Sequence, residues 1–126
     1  MSDERKARDY RDLLVWQKGI GLARSVYEIT SQFPPDERFG LISQMRRAAI
    51  SVPSNIAEGQ ARHTTGEFVQ SISHAEGSLA ELDTQLFMST ELSYCSTNQV
   101  AELHNTISDL RKMVNALRSK LNERRR

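Results

Sequence analysis

The feature that most constrains this chain is a pair of uninterrupted apolar seams in its second half. Phe68, Ile72, Ala75, Leu79, Leu82 and Leu86 are spaced alternately four and three residues apart, and Val100, Leu103, Ile107, Leu110, Val114, Leu117 and Leu121 follow the same rule. A strand presents one face at every second residue, whereas steps of three and four keep a row of side chains on one side of an α-helix. Both segments are therefore read as amphipathic helices of about 25 residues, roughly 38 Å long at 1.5 Å per residue. Thr64 with Glu67, and Ser96 with Gln99, have the spacing of capping boxes, in which each end supplies a partner for the other's free backbone amide. The short polar turn around Tyr94 and Cys95 then makes the two helices antiparallel neighbours.

The first half predicts two more helices. One starts near Asp12 and carries two apolar stripes, Leu13, Trp16, Ile20, Ala23 and Tyr27 on one and Val15, Leu22, Val26, Ile29 and Phe33 on the other. One stripe satisfies a simple bundle, so the second points to a further surface that meets another subunit. Gly19 and Gly21 each cost about 1 kcal/mol relative to Ala in a helix interior, which close approach of a neighbouring backbone would explain. The run Phe33-Pro34-Pro35-Asp36-Glu37 ends this helix and starts the next, with proline and acids suited to a first turn. The second helix places Leu41, Met45, Ala48, Val52, Ile56 and Gly59 on one face. Pro53 inside it removes the hydrogen bond to the Ala49 carbonyl, predicting a kink with Ser51 or Ser54 partly satisfying the freed groups. Together these segments predict an all-α fold, an up-and-down antiparallel four-helix bundle over residues 12–122. Charged, aperiodic and mobile tails are expected at 1–11 and 123–126.

Composition sets outer limits. A chain of 126 residues is one domain's worth, and 38% apolar with 26% charged residues is ordinary for a globular chain. No apolar run approaches the about 18 residues of a membrane helix. The opening MSDERKARDYRD has no apolar core, so no secretory signal is expected and the cytoplasm is the expected compartment. A lone Cys95 excludes an intrachain disulfide and any cysteine-based metal cluster. The net charge of +1 conceals a polarity along the chain. Seven acids and no Lys or Arg lie between Glu67 and Asp109, whereas Arg111 to Arg126 holds seven bases against Glu123 alone. Such segments attract one another between helices or subunits, or offer the basic end to a polyanion.

Catalytic patterns are missing. A di-iron bundle needs Glu-x-x-His on two helices, and no acid here has a histidine three residues later. His63, His74 and His104 stand alone on or beside polar faces and are read as solvated. Cys95 has no nearby histidine or lysine to activate it, and no phosphate loop, nucleophile elbow or dinucleotide fingerprint is present. The expectation is a protein that is not an enzyme and has neither cofactor nor metal. The informative line is polar: Gln44, Arg47, Ser51, Asn55, Glu58 and Arg62 form a stripe along the second helix, with Glu58 and Arg62 correctly oriented for an ion pair. The stripe either satisfies itself and a neighbouring helix or lines a groove for a polar ligand, and the structural role is the commoner one. Arg46, Arg47, Arg111, Lys112, Arg118 and Lys120, with the terminal arginines, are the candidates for phosphate contact. With aromatic residues at 6%, base stacking has little surface.

Leu13-Leu14-Val15-Trp16-Gln17-Lys18, Phe33-Pro34 with Glu37, Gly40-Leu41, Gln44-Met45-Arg46-Arg47-Ala48, Ser51-Val52-Pro53-Ser54-Asn55-Ile56-Ala57-Glu58-Gly59 and Ala75-Glu76-Gly77-Ser78-Leu79 with Glu81-Leu82 and Gln85-Leu86 occur in that order. This series resembles the four-helix-bundle family of 23S rRNA-intervening sequence proteins, first noticed as products of insertions in large-subunit ribosomal RNA genes. The resemblance implies an up-and-down bundle that assembles into a homopentameric ring. A relative, the accessory variability protein of diversity-generating retroelements, works with a reverse transcriptase and binds nucleic acid, and for most members no biochemical activity is established. Unlike those retroelement relatives, this chain is nearly neutral. The expected function is therefore a non-catalytic oligomeric binding or scaffolding protein. Its expected partners are other copies of itself, RNA or DNA held without sequence preference, or a nucleic-acid enzyme, with no membrane. The rival reading is an enzyme with an unrecognised site on the polar stripe of the second helix.

Overall fold

The computed structural model describes residues 9–124. Among them are four α-helices, α1 (Leu14–Thr30), α2 (Leu41–Gln60), α3 (Thr65–Glu91) and α4 (Thr97–Arg124), two single 3-10 turns, and no strand. The expected tail residues 1–8 and 125–126 lie outside the described part. Helix α1 lies against α2, α2 against α3, α3 against α4, and α4 closes onto α1.

The seams go where their spacing sends them. Ile72, Ala75, Leu79, Leu82 and Leu86 of α3 meet Leu103, Ile107, Leu110, Val114 and Leu121 of α4 in one core, with Phe68, Val100 and Leu117 half-buried at its edge. Helix α2 adds Met45, Ala48, Val52 and Ile56, and α1 adds the stripe of Val15, Leu22, Val26 and Ile29, with Phe33 just beyond its end. The other α1 stripe stays at the rim, where Leu13, Trp16 and Ala23 are half-buried and Ile20 and Tyr27 are exposed.

Helix ends differ from the expectation in detail. Asp9 caps a 3-10 turn over Tyr10–Asp12 that precedes α1, and Tyr10 packs edge-on against Trp16 with centroids 5.4 Å apart. At the other terminus α4 runs on through Glu123 and Arg124. Pro35–Glu37 does not open α2 but makes its own 3-10 turn, and α2 begins at Leu41. The reason is Glu37, whose Oε1 accepts from the Leu41 amide at 3.2 Å and so caps α2 from four residues upstream. Both expected capping boxes form their forward half. Glu67 N donates to Thr64 Oγ1 at 3.1 Å and Gln99 N to Ser96 Oγ at 3.2 Å. Gln99 Oε1 returns the bond to the Ser96 amide at 3.1 Å, whereas Glu67 Oε1 accepts from the Thr64 hydroxyl at 3.0 Å.

Pro53 is accommodated within one unbroken helix, its ring buried against α1. A Cβ on Gly19 would sit 3.4 Å from that ring, an ordinary van der Waals contact, and one on Gly21 would have nothing within 4 Å, so close approach requires neither α1 glycine. Ser51 does not turn to the carbonyl freed by the proline, since its hydroxyl is engaged with Ser78 and Asn55. The tightest approach is at Gly59, where a Cβ would stand 2.7 Å from Phe68 and 2.8 Å from Ser71. At the end of α3, Ser93 adopts φ 63°, and Tyr94 N reaches Ser89 O at 2.9 Å while Ser93 N reaches Thr90 O at 2.9 Å. This is a Schellman ending, which favours glycine at the left-handed position.

Three substitutions test this account in denaturant unfolding. Gly59→Ala should lose about 1–3 kcal/mol because the Ser71 Cβ, bonded directly to its Cα, cannot swing aside as the end of a long side chain could. Gly21→Ala should gain up to about 1 kcal/mol from helix propensity alone. Ser93→Gly should also gain about 1 kcal/mol by relieving the left-handed conformation. A loss at Gly21 comparable to that at Gly59 would refute the packing assignment.

Candidate functional site

The polar stripe of α2 faces α3. Gln44, Arg47, Ala48 and Ser51 on α2 and Ser78 and Glu81 on α3 line a shallow groove of about 380 Å³. Its floor is a hydroxyl pair, Ser51 Oγ and Ser78 Oγ at 2.8 Å, and Asn55 Nδ2 donates to the Ser51 carbonyl at 2.8 Å and its hydroxyl at 2.9 Å. The middle of the stripe therefore satisfies itself. Ser78, which completes it, stands in an otherwise ordinary helix sequence and could have been found only by pairing α2 with α3. Glu58 and Arg62 approach to 3.9 Å with both side chains largely exposed, so this i to i+4 pair is worth little. Arg47 and Glu81 share the groove without forming an ion pair with each other among the described residues.

Beside Glu81 is the least satisfied group of the interior. Gln85 is buried and turns Nε2 toward Glu81 Oε2 at 3.3 Å, which leaves its Oε1 without a hydrogen-bond partner. An orphaned buried carbonyl costs about 1–3 kcal/mol.

The six basic candidates do not converge on one surface. Arg46 is committed to α1: its Nε donates to Thr30 Oγ1 at 2.9 Å, and its guanidinium lies 4.4 Å from the Tyr27 ring centroid. Arg118 is committed to α3, pairing with Glu76 across the α3–α4 seam. Arg47 lines the α2–α3 groove, and Lys112 lines a different one between α1 and α4, beside Leu14, Lys18, Asp109 and Met113. Arg111 and Lys120 are exposed on α4. Lys18 reaches Asp109 at 3.8 Å. Of the histidines, His63 and His74 are exposed, but His104 is not alone: its Nδ1 lies 2.8 Å from Asp83 Oδ1 and ties α4 to α3. Burial pushes the Cys95 thiol up from 9.0, partly offset by a hydrogen bond with Thr90, so it is a poor nucleophile at neutral pH.

One constellation escaped the sequence reading. Tyr94, in the α3–α4 turn, donates its hydroxyl to Glu37 Oε2 at 2.7 Å while the other oxygen of Glu37 caps α2. The Tyr94 ring also packs on Phe33, with centroids 5.3 Å apart. The bond from Tyr94, and then the one from the Leu41 amide, hold the Glu37 carboxyl below its ordinary 4.5. The same bond, aided by burial, raises the Tyr94 phenol above 10.0. Two separated residues of unremarkable type carried no periodic signal for this contact.

Two outcomes follow for stability. Ser51→Ala, which removes the hydroxyl partner of Ser78 and leaves Asn55 Nδ2 only the residue-51 carbonyl, should cost about 1 kcal/mol, and Asn55→Ala about 1 kcal/mol. A melting temperature unchanged by both would indicate a groove built for a ligand instead. For the clasp, a lowered carboxyl adds stability that is complete above pH 4.5 and fades as pH falls through its depressed folded value. A raised phenol adds stability below pH 10.0 that fades as pH climbs through its higher folded value. Tyr94→Phe should therefore melt lower at neutral pH and show a shallower acid loss than the parent, and parallel curves would rule the clasp out.

Among curated proteins no match was found. A solved structure from Bacteroides thetaiotaomicron, described as a protein of unknown function from the S23 ribosomal protein family, superposes with a TM-score of 0.75 over 82% of this chain and 97% of its own. At 18% identity that likeness concerns the fold alone. The family model described as 23S rRNA-intervening sequence protein matches residues 11–116, which contain α1, α2, α3 and most of α4. With that match spanning nearly the whole described chain, the protein belongs to the 23S rRNA-intervening sequence protein family.

Proposed function

We propose that this protein is a non-catalytic scaffold of the cytoplasm, an up-and-down antiparallel four-helix bundle that assembles into a homopentameric ring and holds RNA or DNA by its phosphates. Support for the antiparallel course comes from cross-helix pairs in which rising numbers meet falling ones. Ser51 pairs with Ser78 and Met45 with Ser89, Glu76 with Arg118 and Asp83 with His104, Lys18 with Asp109 and Gln32 with Gln99.

The observation that carries the binding reading is the C-terminal half of α4. Arg111, Lys112, Lys120 and Arg124 are exposed and have no ion pair among the described residues, whereas Lys18, Arg62 and Arg118 are paired. Such charges read phosphates and no base identity. A weak contact repeated around a ring is multiplied by effective concentration. A nucleic-acid enzyme working on the bound strand is the natural further partner. A second reading, an enzyme acting in the α2–α3 groove, rests on the unpartnered Gln85 oxygen beside Glu81.

Light scattering should give several chains per particle. Fluorescence anisotropy with single-stranded RNA and duplex DNA should show affinity falling steeply between about 50 and 200 mM salt. Lys112→Glu with Lys120→Glu should weaken all sequences alike. Full binding by that variant would overturn the α4 assignment, and binding abolished by Glu81→Gln with α4 intact would favour the groove.

A further inference from the structure

Three aromatic side chains are exposed among the described residues, and their surroundings differ. Phe39 is 89% exposed and has Arg38 5.9 Å from its ring centroid, but Asp36 and Glu37 precede it in the same connection. Phe87 is 64% exposed on α3, within the stretch from Glu67 to Asp109 that has no Lys or Arg. Tyr27 on α1 is 41% exposed, and the Arg46 guanidinium of α2 lies 4.4 Å from its ring centroid.

Arg46 is held by α1 at two further points, its Nε donating to Thr30 Oγ1 at 2.9 Å and its Nη2 to the Tyr27 carbonyl at 3.3 Å. The Tyr27 ring is thus fixed from one side, and a ring already fixed loses little freedom when a flat group is laid on what remains open. The charge around it has one sign. Helix α1 has no Asp or Glu before Glu28, and α2 has none before Glu58. Glu28 itself turns toward α4, where it lines a pocket with Glu102. Arg24 is exposed one turn before Tyr27, roughly 4.5 Å along the axis at 1.5 Å per residue. Ile20 of the same α1 stripe and Ile50 of α2 are also exposed and continue the surface with apolar side chains.

An aromatic face, a guanidinium behind it and an exposed arginine one turn away match the two parts of a nucleotide, a flat base and a phosphate. We infer that Tyr27 is a stacking platform for an unpaired base of single-stranded RNA or DNA, with Arg24 taking the adjoining phosphate. This rests on the nucleic-acid binding proposed above and adds to it a preference that the phosphate contacts of α4 do not create. A duplex keeps its interior bases stacked on one another, whereas a single strand can turn one out onto a ring at small cost. Every base has a π face, so the platform selects strand type and not sequence. Arg46, spent on Tyr27 and Thr30, is then the support of the platform and not itself a phosphate ligand.

The test compares a labelled oligoadenylate strand with a duplex of equal length, both titrated by fluorescence anisotropy against the full chain at about 50 mM salt. The parent should bind the single strand more tightly than the duplex. Tyr27→Ala should weaken the single strand about tenfold and leave the duplex unchanged, whereas Tyr27→Phe, which keeps the ring, should keep the preference. Arg24→Gln should lower the salt slope for the single strand by about one. With 2-aminopurine replacing one adenine, binding to the parent should quench its fluorescence by stacking, and binding to Tyr27→Ala should quench it less. Thermal melts confirm that each variant keeps the fold. A single-strand affinity untouched by Tyr27→Ala, or an equal loss for strand and duplex, would overturn the platform while the α4 phosphate reading stands. Absence of binding to either nucleic acid by the parent would overturn both.

Discussion

Because α3 carries an apolar row along most of its length, and a stripe about 100° wide is too broad for one helix to cover, it has to be flanked on two sides. Helices α2 and α4 are those flanks, and α1 is then drawn in to seal the remaining side of the core. The closeness of the α2–α3 flank depends on Gly59, where the two helices come together just before and after the turn that joins them. Ser78 and Glu81 of α3 face the stripe of α2 as a result of this pairing, so the polar groove is a consequence of how the apolar seam is covered.

The polar groups between helices share a pattern. Each seam has one or two specific bonds: Arg46 to Thr30, Ser51 to Ser78, Arg118 to Glu76, Lys18 to Asp109. Exposed ion pairs add little to stability, but a bond that forms in only one alignment discriminates against sliding one helix past another. The acidic run of α3 and basic end of α4 are joined in the same way, through Glu76 and Arg118, which removes one base from the set able to meet phosphate.

The fold was legible because its signal is periodic. Seams from Phe68 to Leu86 and Val100 to Leu121 admit only helices, and Thr64 and Ser96 marked two starts. The start of α2 was misplaced because the cap is Glu37 acting across four residues, an arrangement that looks in sequence like an acidic first turn. The site was legible only on its α2 side. Gln44, Arg47, Ser51 and Asn55 announce a stripe, but which of them is spent depends on Ser78 and Glu81, whose facing position is set by tertiary packing. Arg46 and Arg118 looked like their neighbours in sequence. Tyr27 and Glu76, far along the chain, decide that they are structural.

The bond between Glu37 and Tyr94 ties the α1–α2 connection to the α3–α4 turn, so two chain reversals at one end are fastened to each other. A disturbance at one reversal is therefore felt at the other, because losing the Tyr94 hydroxyl frees the same carboxyl that caps the start of α2. Tyr94→Phe should accordingly hasten amide exchange at Leu41, more than fifty residues away in sequence, as well as in the α3–α4 turn itself. The two turns thus open together as a single cooperative unit.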